Sequence, residues 1–257
     1  MPFYRRGDVR LHFLERSGPG PAWLVLHGLT ANARAFDSLA LPAAARLPDL
    51  RGRGLSEQPE DGYSLEEHAL DVLELIEEPT TVVGHSFGGL LGLYLAARHP
   101  ERIARVMLLD AAVGVANPRT LEVIGPSLQR LGRTYASFEA YFEQARAAGW
   151  PTEAEPFCRA DVRELPGGQV ICRTRPETLA RLLAAVQGED WLGLAARVRQ
   201  PVRLLMAERG IVGSEQLQAT RSAIPQLELA TVAGDHFTMI YGQGAREIER
   251  NLAEPGS

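Results

Sequence analysis

The stretch VVGHSFGG, Val82 to Gly89, places a serine between two glycines immediately after an apolar run. A strand that turns tightly into a helix projects such a serine from a rigid support, and the turn crowds the residues two before and two after it. Gly84 and Gly88 occupy those two positions. We therefore predict that Ser86 is a nucleophile at a strand-to-helix turn, although G-x-S-x-G also occurs in unrelated glycine-rich loops.

The sequence around this turn predicts the fold class. An apolar pattern predicts a buried helix from Ser86 to about Arg98, and the run SLEEHALDVLELIEE opens with the S-x-x-E capping box of Ser64 and Glu67. Nearly continuous apolar strands that alternate with helices predict an α/β fold, a doubly wound and mostly parallel sheet with helices on both faces. The predicted strands are 9–15, 22–27, 80–85, 103–110, 201–207 and 227–233.

The alternation of strands and helices lapses between residues 114 and 200. Helical patterns are joined there by turns that contain proline and glycine. We predict a core domain formed by residues 1–113 and 201–257, with a helical cap inserted at residues 114–200. Seven aromatic residues of the cap are candidates for the wall of an apolar pocket, or for simple core packing: Tyr135, Phe138, Tyr141, Phe142, Trp150, Phe157 and Trp191.

Composition excludes several function classes. The chain has 257 residues, of which 45% are apolar and 23% charged, as is typical of a globular protein. All 27 basic residues are arginine, so Schiff-base chemistry, pyridoxal-phosphate attachment and a Walker-type phosphate lysine are excluded. The net charge is −5 and no basic stripe is present, which argues against a nucleic-acid partner. We expect neither a cofactor nor a metal ion.

Other features bear on where the protein works. Cys158 and Cys172 have no C-x-x-C spacing, and the first residues carry charges where a signal peptide needs an apolar core. The charge-free run at residues 79–97 approaches membrane length but contains four glycines, so strand, turn and helix explain it better. We expect a cytoplasmic protein without membrane contact. The sequence leaves the oligomeric state open.

A serine nucleophile that attacks a carbonyl requires two backbone donors for the oxyanion. The amide of Phe87 is the first candidate, because it begins the following helix. LVLHGLT, residues 24–30, supplies a second loop after a strand, with the Leu29 amide as the other candidate and Gly28 permitting close approach. His27 lies at the end of that strand, and we expect it to support the loop.

The general base is expected after the last predicted strand. GDHFTM, residues 234–239, offers His236 on a loop that can reach over the sheet edge to Ser86. His85 adjoins Ser86 in sequence, and we expect its side chain to point away from that serine. Structural roles are expected for three other histidines, His12, His68 and His99.

Four motifs, LHGLT, DLRGRGLS, VVGHSFGGLLG and GDHFTM, resemble the α/β-hydrolase superfamily in their order and spacing. The resemblance covers nearly the whole chain outside the cap. It implies the fold well and the substrate poorly, since this fold carries esterases, thioesterases, lipases, peptidases, lactonases, carbon–carbon bond hydrolases and cofactor-free haloperoxidases. A serine at residue 86 disfavours the dehalogenases and epoxide hydrolases of the superfamily, which use an aspartate there.

The chain departs from that pattern at the acid of the expected triad. In most relatives an aspartate follows the strand resembling PVRLLMA, and Gly210 occupies that position here. Asp110 ends the strand after the nucleophile helix, where some relatives, including polyketide-type thioesterases, carry their acid. Glu208 lies two residues before the vacant position. We favour Asp110, and Glu208 stays the alternative.

These observations predict a serine hydrolase of carboxylic esters or thioesters with small to medium apolar acyl groups. An acyl-enzyme would form on Ser86, and the partner would be a small-molecule substrate. A carbon–carbon bond hydrolase that uses the same serine is one alternative. A non-catalytic small-ligand binding protein of the same fold is the other, and the vacant acid position supports it.

Overall fold

The computed structural model describes residues 2–115 and 119–254. Met1, residues 116–118 and residues 255–257, which fall within the predicted domain ranges, lie outside the described residues. The strands are β1 Phe3–Arg6, β2 Val9–Arg16, β3 Trp23–Leu26, β4 Ala45–Pro48, β5 Thr80–His85, β6 Ile103–Leu109, β7 Thr134–Tyr135, β8 Val162–Glu164, β9 Val170–Cys172, β10 Val202–Arg209 and β11 Leu227–Asp235. The α-helices are α1 Leu65–Leu73, α2 Phe87–Arg98, α3 Arg119–Gln129, α4 Phe138–Ala147, α5 Glu155–Asp161, α6 Pro176–Gln187, α7 Trp191–Ala195, α8 Ser214–Ala223 and α9 Gly242–Ala253.

The main sheet has eight strands in the order β1-β2-β4-β3-β5-β6-β10-β11. β1 and β2 pair antiparallel, and β2 pairs antiparallel with β4. The remaining neighbours in this sheet, β4-β3-β5-β6-β10-β11, all pair parallel. The predicted α/β fold with a mostly parallel sheet is confirmed. Because the carboxyl ends of the parallel strands meet at one edge, loops that are distant in sequence converge there.

Helices cover both faces of this sheet. Val82 and Val83 are adjacent on β5 and fully buried, but they belong to two separate apolar clusters. Val82 clusters with Leu91 of α2, whereas Val83 clusters with Ile248 of α9. Successive side chains of a strand point to opposite faces, so the two clusters are the two layers of a doubly wound core.

Two strands near the amino terminus, β4 and β1, are short. β4, which has four residues and ends just before Asp49, is absent from the predicted strands. β1 was not predicted. It is an edge strand of four residues with alternating exposure, and its antiparallel pairing with β2 depends on a turn at Gly7, where φ is 58°.

The charge-free run at residues 79–97 divides into β5 and α2, as expected. Among the helices of residues 2–115 and 119–254, none combines the length and the apolar character that a membrane crossing requires.

The segment between β6 and β10 is not purely helical. It contains α3 to α7 together with an antiparallel sheet in the order β7-β9-β8. β8 and β9 are joined by a turn in which Gly167 and Gly168 both have positive φ, and the Leu165 amide donates to the Gln169 carbonyl at 2.7 Å. The small sheet within the predicted helical cap was not expected, and it forms because the Pro-Gly-Gly turn favours a hairpin here.

Candidate functional site

Ser86 lies between β5 and α2 with φ 53° and ψ −120°. A Cβ at Gly84 would overlap the backbone of Gly88, and a Cβ at Gly88 would overlap the carbonyl of Leu26. Glycine is therefore required at both positions by close backbone approach. The Ser86 side chain does not cap α2, so its hydroxyl is available to another partner.

The structure brings three sequence-distant side chains into one hydrogen-bonded chain. Nε2 of His236 lies 3.1 Å from Oγ of Ser86, and Nδ1 of His236 lies 2.7 Å from Oδ2 of Asp110. An ionised carboxylate only accepts hydrogen bonds, so Nδ1 carries the proton and donates to Asp110. Nε2 is then free to accept the hydrogen of the Ser86 hydroxyl.

Asp110 is fully buried and has φ 47°. Burial alone would raise the pKa of its carboxyl, but hydrogen bonds from His236 and from the Ile211 amide, at 2.9 Å, together hold that pKa below its ordinary value. The side chain of Glu208 is 55% exposed and its carboxylate lies 4.0 Å from Arg209. Of the two candidate acids, the structure therefore brings Asp110 to His236 and leaves Glu208 facing solvent.

Gly210 has no side chain, and this leaves room for the carboxylate of Asp110 beside β10. A Cβ at residue 210 would approach both carboxylate oxygens of Asp110 more closely than 3.0 Å. The carboxylate of Asp110 therefore occupies the space that a side chain at residue 210 would need. The missing aspartate and the acid after β6 are two parts of one arrangement.

Gly210→Ala is expected to impair the site through this overlap. The added methyl must displace the Asp110 carboxylate from His236, so we expect kcat to fall at least about 100-fold and stability to fall by about 1 to 3 kcal/mol. Ester hydrolysis and thermal unfolding would be measured. Gly188→Ala is the matched control, because its Cβ would meet only ordinary contacts of 3.4 Å or more. Equal activity of the two variants would contradict the packing argument.

The two candidate oxyanion donors lie on either side of Ser86. Phe87 is the first residue of α2, so its amide has no acceptor within the helix. Leu29 lines the cavity above Ser86, and no acceptor for its amide lies in the described part of the chain. The carbonyl of Gly28, in the same peptide unit, accepts from the Ala31 amide at 3.1 Å and from Nδ1 of His27 at 2.8 Å.

His27 supports the loop, as expected. Its Nε2 accepts from the Leu50 amide at 3.0 Å while Nδ1 donates to Gly28, so both ring nitrogens are used. Burial lowers the pKa of His27 to about 4. The ring is therefore neutral near pH 7, and it acts as a fixed bridge between two loops rather than as a base.

The expectation for His85 was wrong. Its side chain lines the cavity, its ring centroid lies 4.6 Å from that of His236, and its Nε2 donates to the His236 carbonyl at 2.7 Å. Burial lowers the pKa of His85, and the positive charge that His236 can carry lowers it further. A neutral His85 ring thus packs beside the ring of His236. The position of His85 next to Ser86 in the sequence does not reveal this orientation.

A cavity of about 80 Å³ lies over Ser86 and His236. The apolar side chains among its walls are Leu29, Ala31, Ala35, Ile124, Leu128, Trp150, Phe157, Ile211, Phe237 and Ile240. Among the described side chains that line it, none is an arginine, an aspartate or a glutamate. This volume is below the roughly 150 Å³ of an engineered cavity that holds benzene.

The seven aromatic candidates have different surroundings. Trp150 and Phe157 line the cavity over Ser86. Two tyrosines, Tyr135 and Tyr141, instead line a neighbouring cavity of about 110 Å³, which shares those two walls. The remaining three, Phe138, Phe142 and Trp191, pack against the apolar clusters. Phe237 was not among the residues predicted from the sequence, although it directly follows His236. Its ring stacks on that of Trp150, with 5.6 Å between the ring centres.

Arg130 was also missed. It lies on the turn after α3 and donates to the carbonyl of Thr30, next to Leu29. Asp161 pairs with this arginine at 2.8 Å and also accepts from the Tyr141 hydroxyl at 2.6 Å. The segment between β6 and β10 is thereby attached to the loop that carries a candidate oxyanion donor. No local sequence signal connects these residues.

Comparison with known proteins adds independent findings. A family model described as alpha/beta hydrolase fold matches residues 21–243. The chain is 34% identical over 247 residues to the 2-(acetamidomethylene)succinate hydrolase of Mesorhizobium japonicum, an alignment that covers 90% of this chain and 86% of that protein. It is 29% identical over 225 residues to the 2-hydroxymuconate semialdehyde hydrolase of Pseudomonas sp. strain CF600, with 71% and 79% covered. A solved E-2-(acetamidomethylene)succinate hydrolase superposes with a TM-score of 0.81 at 24% identity, over 98% of this chain and 97% of that one.

Proposed function

Because the chain belongs to the α/β-hydrolase fold family, we propose that this hydrolase cleaves carboxylic esters or thioesters through an acyl-enzyme on Ser86. The observation that carries the proposal is the hydrogen-bonded chain from Ser86 through His236 to Asp110 beneath an apolar cavity. A binding protein without catalysis has no need of a hydroxyl aligned with a base and a buried acid.

Each residue has a role in the proposed reaction. Ser86 attacks the carbonyl carbon while His236 takes its proton, and His236 then protonates the leaving group. Asp110 fixes the tautomer of the ring and stabilises its protonated form. The amides of Leu29 and Phe87 bind the negative charge on the carbonyl oxygen. Water attacks the acyl-enzyme by the same route and releases the acid.

The cavity supports a small to medium, uncharged acyl group. Burying a substrate carboxylate requires a cationic partner, and none of the described side chains lining this cavity is an arginine. In the proposed division, residues 1–113 and 201–257 supply the chemistry and the inserted cap, residues 114–200, limits acyl size. A small-molecule substrate and a cytoplasmic location are parts of the same proposal.

Carbon–carbon bond hydrolysis is the second candidate. It is favoured by the similarity to 2-hydroxymuconate semialdehyde hydrolase, and it would use the same serine. The substrate in that name carries a carboxylate, for which the described cavity walls supply no arginine. The apolar walls therefore favour the ester.

The test is labelling with a fluorophosphonate probe, followed by turnover of defined substrates. The panel contains p-nitrophenyl acetate, butyrate and octanoate, acyl thioesters of N-acetylcysteamine, a succinate monoester and 2-hydroxymuconate semialdehyde. We expect the label on Ser86 and the highest kcat/KM with a short neutral acyl group. An unlabelled, inactive protein contradicts the proposal and favours the binding protein. Preference for the semialdehyde favours the second candidate.

Trp150→Ala is expected to lengthen the preferred acyl chain. Trp150 lines both the cavity over Ser86 and the neighbouring cavity, so its removal should enlarge the space next to Ser86 toward the second cavity. We expect the ratio of kcat/KM for octanoate to that for acetate to rise at least about tenfold. Phe142→Ala is the control, because Phe142 packs in the same segment without lining the first cavity. An unchanged ratio in Trp150→Ala would show that this tryptophan only packs.

A further inference from the structure

Arg53, in the loop after β4, is a buried cation without a carboxylate partner. Its side chain is fully buried, and in the described part of the chain no aspartate or glutamate oxygen lies within 4.0 Å of its guanidinium nitrogens. Nη2 has no hydrogen-bond partner at all among the described residues. A buried charge is costly unless an opposite charge compensates it, so this arrangement requires an explanation.

The neighbouring residues show how unusual it is. Arg51, two residues earlier, is also buried, and its guanidinium binds both carboxylate oxygens of Asp71 at 2.6 and 2.7 Å. Asp49 is engaged by His12 at 2.7 Å and by backbone amides. The two carboxylates near this loop, Asp49 and Asp71, thus bind other donors. The described hydrogen-bond acceptors of Arg53 are all neutral.

Those acceptors are the carbonyls of Leu29 and Arg51 and the Nε2 atom of His68. Nε of Arg53 donates to the carbonyl of Leu29 at 3.2 Å, and the guanidinium carbon lies 5.9 Å from the ring centre of Phe87. Nη1 donates to Nε2 of His68 at 3.3 Å, and the Nδ1 of that histidine donates to the Ser64 carbonyl at 2.8 Å. Arg53 therefore contacts both residues whose amides would hold the negative oxygen.

The protonation states leave the charge on the arginine. Burial lowers the pKa of Arg53 to about 10, so the guanidinium is still charged at neutral pH. Burial and then the charge of Arg53 lower the pKa of His68 well below its ordinary value, so this ring stays neutral. Arg53 therefore carries a positive charge that no described carboxylate compensates, next to the loop that contains Leu29.

We propose that Arg53 is a positioning residue whose buried positive charge stabilises the oxyanion through the residues it contacts, Leu29 and Phe87. It does not line the cavity, so it acts without touching the substrate. Its missing counter-charge appears only when the carbonyl oxygen becomes negative, and the stabilisation is therefore larger in the transition state than in the resting protein. This inference rests on the proposed function.

Three variants of Arg53 separate charge from hydrogen bonding. Arg53→Lys keeps a charge and a donor, Arg53→Gln keeps only a donor, and Arg53→Met keeps neither. The probe is a trifluoromethyl ketone with a ¹³C-labelled carbonyl: Ser86 Oγ adds to that carbon, the serine proton moves to His236, and the ketone oxygen becomes the oxyanion. The pKa of the hemiketal oxygen is then read from its ¹³C shift.

We expect Arg53→Gln and Arg53→Met to raise the hemiketal pKa by about one unit or more, which equals about tenfold in stabilisation of the charged form. We expect kcat to fall about 10- to 100-fold in both while KM changes less than about threefold, and Arg53→Lys to stay close to the unsubstituted protein. Because no partner charge is left behind, Arg53→Met should unfold at a Tm equal to or above the original. Arg51→Met, which removes the arginine that binds both carboxylate oxygens of Asp71 and leaves that aspartate paired with Arg6, should lower Tm and leave the hemiketal pKa unchanged.

Several results would overturn the proposal. An Arg53→Gln protein with an unchanged hemiketal pKa and kcat would show that the charge does nothing, and an Arg53→Met protein that fails to fold would assign the charge to stability. In both cases the unsubstituted protein still forms the adduct, and the proposed function is unaffected. If the unsubstituted protein forms no adduct on Ser86, the proposed function itself fails and this inference fails with it.

Discussion

Ser86→Ala is expected to lower kcat by about 10⁶-fold, to the background rate, and to abolish fluorophosphonate labelling. The chain contains no lysine, and its two cysteines, Cys158 and Cys172, are buried, where burial raises the pKa of both thiols. Neither an amine nor a thiol side chain can therefore replace Ser86 in forming the acyl-enzyme. Hydrolysis of a p-nitrophenyl ester by freshly purified variant would measure the loss.

The substitution should not affect folding. Apart from its contact with His236, the Ser86 hydroxyl has no hydrogen-bond partner among the described residues, so stability should change by less than about 1 kcal/mol. Ser127→Ala is the matched control, because it also removes a serine hydroxyl that lines the cavity, at a different position. We expect that variant to retain labelling and turnover within about tenfold. Activity of Ser86→Ala near that of Ser127→Ala would refute the assignment of the nucleophile.

Asp110→Asn is expected to lower kcat by about 10⁴-fold. The amide that replaces the carboxylate can donate to Nδ1 of His236, which would move the ring proton to Nε2. His236 would then be unable to accept the proton of Ser86, and the protonated ring would lose its counter-charge. Steady-state kinetics with a short-chain ester would measure this effect, with thermal unfolding to confirm that the buried variant is folded.

Glu208→Gln is the control for this prediction. The Glu208 side chain is 55% exposed and is not within hydrogen-bonding distance of His236 in the described structure, so we expect kcat to change less than about threefold. The reverse result, in which kcat hardly changes in Asp110→Asn and falls strongly in Glu208→Gln, would show that the acid is supplied after β10. The pair of variants therefore decides between the two carboxylates that the sequence left open.

The features that were predicted best from the sequence depend on residues that lie close together along the chain. Gly84 and Gly88 are required by a turn within five residues, and the strand and helix on either side follow from local apolar patterns. The order of these patterns was sufficient for the fold, because a right-handed alternation of strand and helix has few ways to pack into a parallel sheet. Short elements such as β1 and the β8–β9 hairpin gave weaker signals.

The sequence by itself thus determined the fold, the candidate nucleophile on its turn and the loop that carries His236. The sequence favoured Asp110 and kept Glu208 as the alternative, whereas the contact of Asp110 with His236 depends on tertiary structure, because β6 and β10 are adjacent and their register sets Asp110 beside the space at Gly210. Tertiary structure also places the His85 ring beside that of His236 and leaves Nη2 of Arg53 without a hydrogen-bond partner among the described residues. These relations join residues from different strands and loops, and pair distances of that kind depend on strand order and register, which no local pattern encodes.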